Sequence, residues 1–237
     1  MSTSLRNNAA LLAALAALVL LGGGLFLAFY WVPNAPIEGF RQRIFYIHVP
    51  VALTAYACFG WAAWKALRLL RTGDQRHDLE SYTAVHQGVI FGVLTLVTGS
   101  IWAKASWGHW FEWNEPVLVS FLIVFLLYCC YQPLRFSIDD PERQARYSSV
   151  FAIVAGGFVP LNFAAVRLAE SYTHPRVLSQ TGGSLPGDMR LTFLVSLLAM
   201  TLLFVTLWKL ELTSKNADAQ LKRLRRRLEA RAPAAVA

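Results

Sequence analysis

Ile101-Trp102-Ala103-Lys104-Ala105-Ser106-Trp107-Gly108-His109-Trp110-Phe111-Glu112-Trp113-Asn114-Glu115-Pro116 follows one long apolar run and precedes another. It holds half of the chain's eight tryptophans. A helix over 107–113 would set Trp107, Trp110 and Trp113 along one drifting stripe, with Gly108 adding no side chain beside them. Such a stripe is an aromatic shelf at a membrane surface. Spacing alone leaves two readings open: a headgroup belt of the kind found where helices leave a bilayer, or a platform for a flat ligand. A belt spreads its tryptophans over all helix ends, whereas these crowd one loop.

Outward from this loop the chain is too evenly apolar for a soluble domain. Of its 237 residues 56% are hydrophobic and only 15% charged, and the mean hydropathy is +0.43. Six apolar runs, 9–31, 48–70, 82–102, 117–134, 148–168 and 190–210, each approach the roughly 20 residues that a helix needs to cross hydrocarbon. The short alternating segments of a transmembrane barrel are missing. The expected fold is all-α: a polytopic membrane protein of six transmembrane helices. Residues 1–210 form the membrane domain and 211–237 a basic cytoplasmic tail. The first run exceeds the roughly 7–15 residues of a signal-peptide core and lacks a clear cleavage site, so it is read as an anchored first helix.

Lysine and arginine orient the bundle. With both termini in the cytoplasm, the inner side collects Arg6, Lys65, Arg68, Arg71, Arg76, Arg135, Arg143, Arg146, Lys209, Lys215 and the basic tail. The outer side keeps Arg41, Arg43, Lys104, Arg167, Arg176 and Arg190 out of 22 basic residues in all. The positive-inside rule selects that orientation, and the net charge of +8 is mostly a topology signal. In the tail Leu221, Leu224 and Leu228 share a helical face among basic residues. That pattern is read first as a helix on anionic lipid, then as a docking site for a cytoplasmic partner, and last as a nucleic-acid contact.

The remaining motifs exclude several chemistries. Cys58 and the pair Cys129-Cys130 fall inside predicted spans with no metal or haem-attachment spacing, and read as packing residues. Phosphate-binding glycine loops, nucleophile elbows and zinc-protease pairs are all lacking, so the chain reads as neither ATPase nor hydrolase.

Three histidines remain for the outer face: His48 at the start of the second run, His109 in the tryptophan loop and His174 between the fifth and sixth runs. Neutral imidazole is a common axial ligand of haem iron, and tryptophans pack well on a porphyrin plane. Arg41, Arg43, Lys104 and Arg176 are candidate partners for its propionates, with ordinary headgroup contact as their other reading. His77 and His86 fall on the cytoplasmic side and are read as solvated or interfacial.

Two stretches together carry a resemblance. Arg43-Ile44-Phe45-Tyr46-Ile47-His48-Val49-Pro50 and the run from Leu96-Val97-Thr98-Gly99-Ser100 through Trp107-Gly108-His109-Trp110-Phe111-Glu112-Trp113 resemble the protein C family of cytochrome c maturation, CcmC, across all six spans. That resemblance implies haem b, bound non-covalently and transiently at the periplasmic face of the bacterial inner membrane. His48 and His174 would be its axial ligands, and the loop of Trp102, Trp107, Gly108, Trp110 and Trp113 would hold the macrocycle edge. It implies delivery of haem to a periplasmic haem chaperone, on which the covalent bond forms. It also implies company with the two ABC transporter subunits, A and B, and with a further small, single-span membrane component. The chain departs from the family pattern at Trp113-Asn114-Glu115-Pro116, where an aspartate and an arginine are usual, and around His174. Three rival readings are a haem lyase of cytochrome c assembly, a membrane electron-transfer cytochrome, and a purely structural subunit of the transporter complex.

Overall fold

The computed structural model describes residues 3–168 and 185–229. Six long helices account for most of them: α1 (Thr3–Phe26), α2 (Phe45–Thr72), α3 (Arg76–Trp107), α4 (Pro116–Phe136), α5 (Pro141–Leu168) and α6 (Gly187–Glu229). Each is long and apolar enough to cross a membrane. Every backbone polar group within hydrocarbon must be paired inside its own segment, which a helix does and an open strand cannot. The chain is a multi-pass membrane protein.

Connections set the neighbours. Gly73 stops α2 in the left-handed conformation at φ 70, its N–H returned to the Leu69 carbonyl, and α3 begins three residues later. So short a turn makes α2 and α3 antiparallel, and they share the most extensive interface of the bundle. α2 also packs on α5 and α6, while α4 lies on α5 and α1 on α6.

Small residues let these helices approach, as helix packing in lipid requires. Ala55, Cys58, Ala62 and Ala66 of α2 meet Ser81, Ala84 and Gly88 of α3 in one buried seam. A Cβ at Gly88 would stand 2.5 Å from the Phe59 ring. That ring stacks on Tyr128 of α4 at 3.9 Å and 5°, and the Tyr128 hydroxyl is within hydrogen-bonding distance of the Phe59 and Ala152 carbonyls. One aromatic pair thus ties α2, α4 and α5 together.

α6 departs from the sequence reading. At ~1.5 Å per residue its 43 residues extend about 65 Å, twice the ~30 Å of a hydrocarbon core. As far as Glu229 the basic tail is therefore the unbroken continuation of the sixth span, with Leu221, Leu224 and Leu228 exposed.

Candidate functional site

At one end of the bundle the 3-10 turn Phe40–Ile44 leads directly into α2. His48 therefore sits a turn inside α2 rather than at its first residue. Tyr46 is buried beside Ala28, Val32, Met189 and Phe193, and Phe45 stacks on Phe193 at 5.5 Å. These contacts bring the end of α1 and the start of α6 to the His48 end. Arg41 bridges from the same turn to the last turn of α3, its Nη1 donating to the Ala105 carbonyl at 2.9 Å.

His48 is half-buried against α3. Its Nδ1 lies 2.9 Å from the Thr98 hydroxyl, and a Cβ on Gly99 would stand 2.9 Å from its Cε1. The Thr98–Gly99 step is thus a shallow seat for an imidazole, possible because residue 99 has no side chain. The seat lies eight residues below Trp107, about 12 Å along the helix.

The tryptophan stretch does not form the expected helical stripe. α3 ends at Trp107, because Gly108 takes the left-handed conformation at φ 85 and returns its N–H to the Lys104 carbonyl, a common helix stop. Residues 108–115 are a loop, and α4 restarts at Pro116. An aromatic surface forms nonetheless, assembled by pairs. Trp102 meets Trp107 edge-on at 4.9 Å, Phe111 meets Trp113 at 4.7 Å, and the Lys104 ammonium stands 6.0 Å from the Trp110 ring. Trp110 and Trp113 are 60% and 71% exposed, whereas Glu115 at the loop's exit is fully buried.

Glu112 organises this loop. Its carboxylate meets His109 Nε2 at 2.9 Å and accepts the Asn114 backbone N–H at 3.0 Å. That N–H, more than any other group, holds the Glu112 carboxyl below the ordinary carboxylate range. Lys104 donates to the Gly108 carbonyl at 2.7 Å, so it too shapes the loop while its charge faces Trp110. Arg43 is engaged elsewhere: it donates to the carbonyls of Ala28 at 3.1 Å, of Phe29, and of Val32 at 3.5 Å, and to Asn34 Oδ1 at 3.0 Å. It closes the carbonyl end of the first span.

His174 and Arg176 lie outside the described residues. The flanks of their segment, Leu168 and Gly187, are the ends of α5 and α6.

The opposite end holds a polar network that the sequence reading missed. Arg135 makes a two-pronged contact with Asp78 at 2.7 and 2.6 Å while only 6% exposed. Glu80 pairs with Lys65 and with His77 Nδ1, and Glu211 with His86 Nδ1 and Lys215. His77 is thus a nearly buried member of an ion network, not a solvated residue, and His86 is tied to α6. The signal was a helical register of charges at 76–87 whose partners come from three other helices.

The sequence profile of the family CcmC, described as Heme exporter protein C, matches residues 2–228. The Heme exporter protein C of Bradyrhizobium diazoefficiens is 33% identical over 195 residues, which is 82% of this chain and 73% of the relative. That of Rhodobacter capsulatus is 30% identical over 180 residues, covering 67% and 73%. The Heme exporter protein C of Escherichia coli K12 is 28% identical over 148 residues, covering 62% and 60%.

Proposed function

The chain belongs to the Heme exporter protein C family, and from that premise we propose that it holds haem at the His48 end of the bundle. There it presents the haem to a periplasmic haem chaperone during cytochrome c maturation. The observation that carries the reading is the seating of His48 between Thr98 and Gly99 at the foot of an exposed tryptophan surface. A half-buried imidazole fixed in one orientation is what an axial ligand requires, and exposed indoles in the loop at the end of α3 suit an apolar ring.

Each part then has a task. His48 supplies one axial nitrogen and His174 the other. Trp102 and Trp107 form the fixed base of the shelf, Gly108 turns the chain, and Trp110 and Trp113 cover the ring's edge. Lys104 meets a propionate. The porphyrin rim stays open to the acceptor, on which the covalent bond forms, so the protein acts as holder and positioner rather than as a catalyst. The cargo is haem b, bound without a covalent link and only in passage. The family resemblance suggests the bacterial inner membrane, and the charge asymmetry of the loops supports an orientation with both termini cytoplasmic and the haem site facing the periplasm. The two ABC transporter subunits, A and B, and a small, single-span membrane component complete the assembly.

The test is purification after co-expression with the chaperone, followed by visible absorption spectroscopy. A haem spectrum in the purified protein, together with co-purification of the chaperone, supports delivery. Protein repeatedly free of haem supports a structural subunit instead.

A further inference from the structure

We propose that Thr98 is the positioning residue of the haem ligand: it fixes His48 with its proton on Nδ1, so that Nε2 carries the lone pair offered to iron, and its neutral hydroxyl keeps that ligand exchangeable. The proposal rests on the reading of His48 as an iron ligand.

The tautomer follows from counting protons. A threonine hydroxyl has one hydrogen and two lone pairs, and a carbonyl only accepts. Thr98 Oγ1 lies 2.7 Å from the Leu94 carbonyl and 3.2 Å from that of Thr95, so its hydrogen is committed to the helix backbone. Toward His48 Nδ1, at 2.9 Å, the hydroxyl can then only accept. Nδ1 therefore bears the hydrogen, and in a neutral ring the lone pair is on Nε2. Gly99 sets the depth. With a Cβ there only 2.9 Å from Cε1, the ring could not lie against α3 and its Nε2 would be pushed off line.

The character of the partner sets the strength of the ligand. On the same helix His77 and His86 place Nδ1 2.7 Å from the carboxylates of Glu80 and Glu211. A carboxylate draws on the Nδ1 proton, makes the ring more basic and binds metal more firmly. Two histidines of α3 thus have a carboxylate partner, one from α3 and one from α6, yet residue 98 is a threonine. A hydroxyl orients the ring without charging it, which suits a site that must surrender its cargo. Hydrogen bonding to the axial ligand is also one of the levers on haem potential, so the choice of residue 98 is legible in the reduction potential.

The experiment compares Thr98→Val, Thr98→Ser and Thr98→Asp in the full-length protein loaded with haem. It reads the visible spectrum, the reduction potential and the rate of haem loss to apomyoglobin. Thr98→Ser should match the parent. Thr98→Val keeps the shape but removes the acceptor, and should weaken haem retention roughly 10- to 100-fold with a mixed-spin spectrum. Thr98→Asp should remain low-spin, with a more negative potential and slower release. A Thr98→Val protein that is monodisperse and identical to the parent in all three readouts overturns the proposal. His48→Ala separates the two levels. If that variant keeps the parent spectrum, the ligand assignment itself fails; if it loses the spectrum while Thr98→Val changes nothing, only the positioning role fails.

Discussion

Arg43 caps the first span through Ala28: its Nη1 donates to the Ala28 carbonyl across 3.1 Å, and neighbouring donors reach Phe29, Val32 and Asn34. The last carbonyls of a helix lack intrahelical partners, and at a membrane face they need a donor from elsewhere. Arg43→Ala should therefore cost about 1–3 kcal/mol of stability, read as a lower unfolding temperature in detergent, while haem that remains bound keeps its spectrum. Unchanged stability with altered haem binding would return Arg43 to the role of propionate partner.

The tryptophan surface divides into a base and a rim. Trp102 and Trp107 pack on one another, whereas Trp110 and Trp113 are largely exposed and lend the fold little. Replacing Trp110 and Trp113 together by alanine should shift the unfolding temperature by no more than about 2–4 °C, because exposed substitutions usually change stability by less than ~0.5 kcal/mol each. Haem should stay on its ligands while transfer to the chaperone falls. Normal transfer by the double variant would make these residues a headgroup belt.

How much of this was legible in the sequence differs between span and site. Length and hydropathy sufficed for six spans, because crossing hydrocarbon imposes a minimum apolar length whatever the packing. Helix ends were less legible. α3 starts at Arg76 rather than in the apolar run at 82, since its charged first turns are neutralised by Lys65, Arg135 and one another. Tryptophans at every third residue fit a helical period and predict a stripe. Gly108 decided otherwise, and a glycine between two helix-compatible residues signals a stop only once its φ is known. The seat of His48 joins residues 50 positions apart, and no local pattern marks it.

Glu112 makes the loop sensitive to acid. Its folded carboxyl titrates below the ordinary range, so its contribution to loop order is present above the unfolded value of about 4.3 and is lost as pH falls through the folded one. Loop tryptophan fluorescence should stay flat from neutral pH down to that region and then change. In Glu112→Gln, which still offers an oxygen to the Asn114 N–H, the acid transition should disappear. An identical transition in that variant would assign the change to another group.

The proposed orientation is open to direct labelling. In a background with Cys58, Cys129 and Cys130 replaced, Ile37→Cys in the exposed turn before α2 should react with a membrane-impermeant thiol reagent from outside spheroplasts. Leu228→Cys near the end of α6 should react only after permeabilisation. The reverse pattern would place the His48 end in the cytoplasm and remove the periplasmic delivery argument.

The proposed ligand pair offers the sharpest test, because His48 and His174 can be replaced one at a time. Two imidazoles give a strong axial field, so the loaded protein should show six-coordinate, low-spin haem. Removing either histidine opens one position: each single alanine variant should shift toward high spin or take up added imidazole, and the double variant should lose most of its haem. Acidification should act the same way, since an imidazole must be neutral to bind iron and titrates near about 6.5 when free, lower when coordinated. His109 is the internal control. Its Nε2 is engaged by Glu112, which ties the ring into the loop, so His109→Ala should disturb the tryptophan environment but keep the low-spin spectrum. If His109→Ala abolishes that spectrum and His174→Ala preserves it, the second ligand is His109, and the Glu112 contact must then be broken whenever haem is bound.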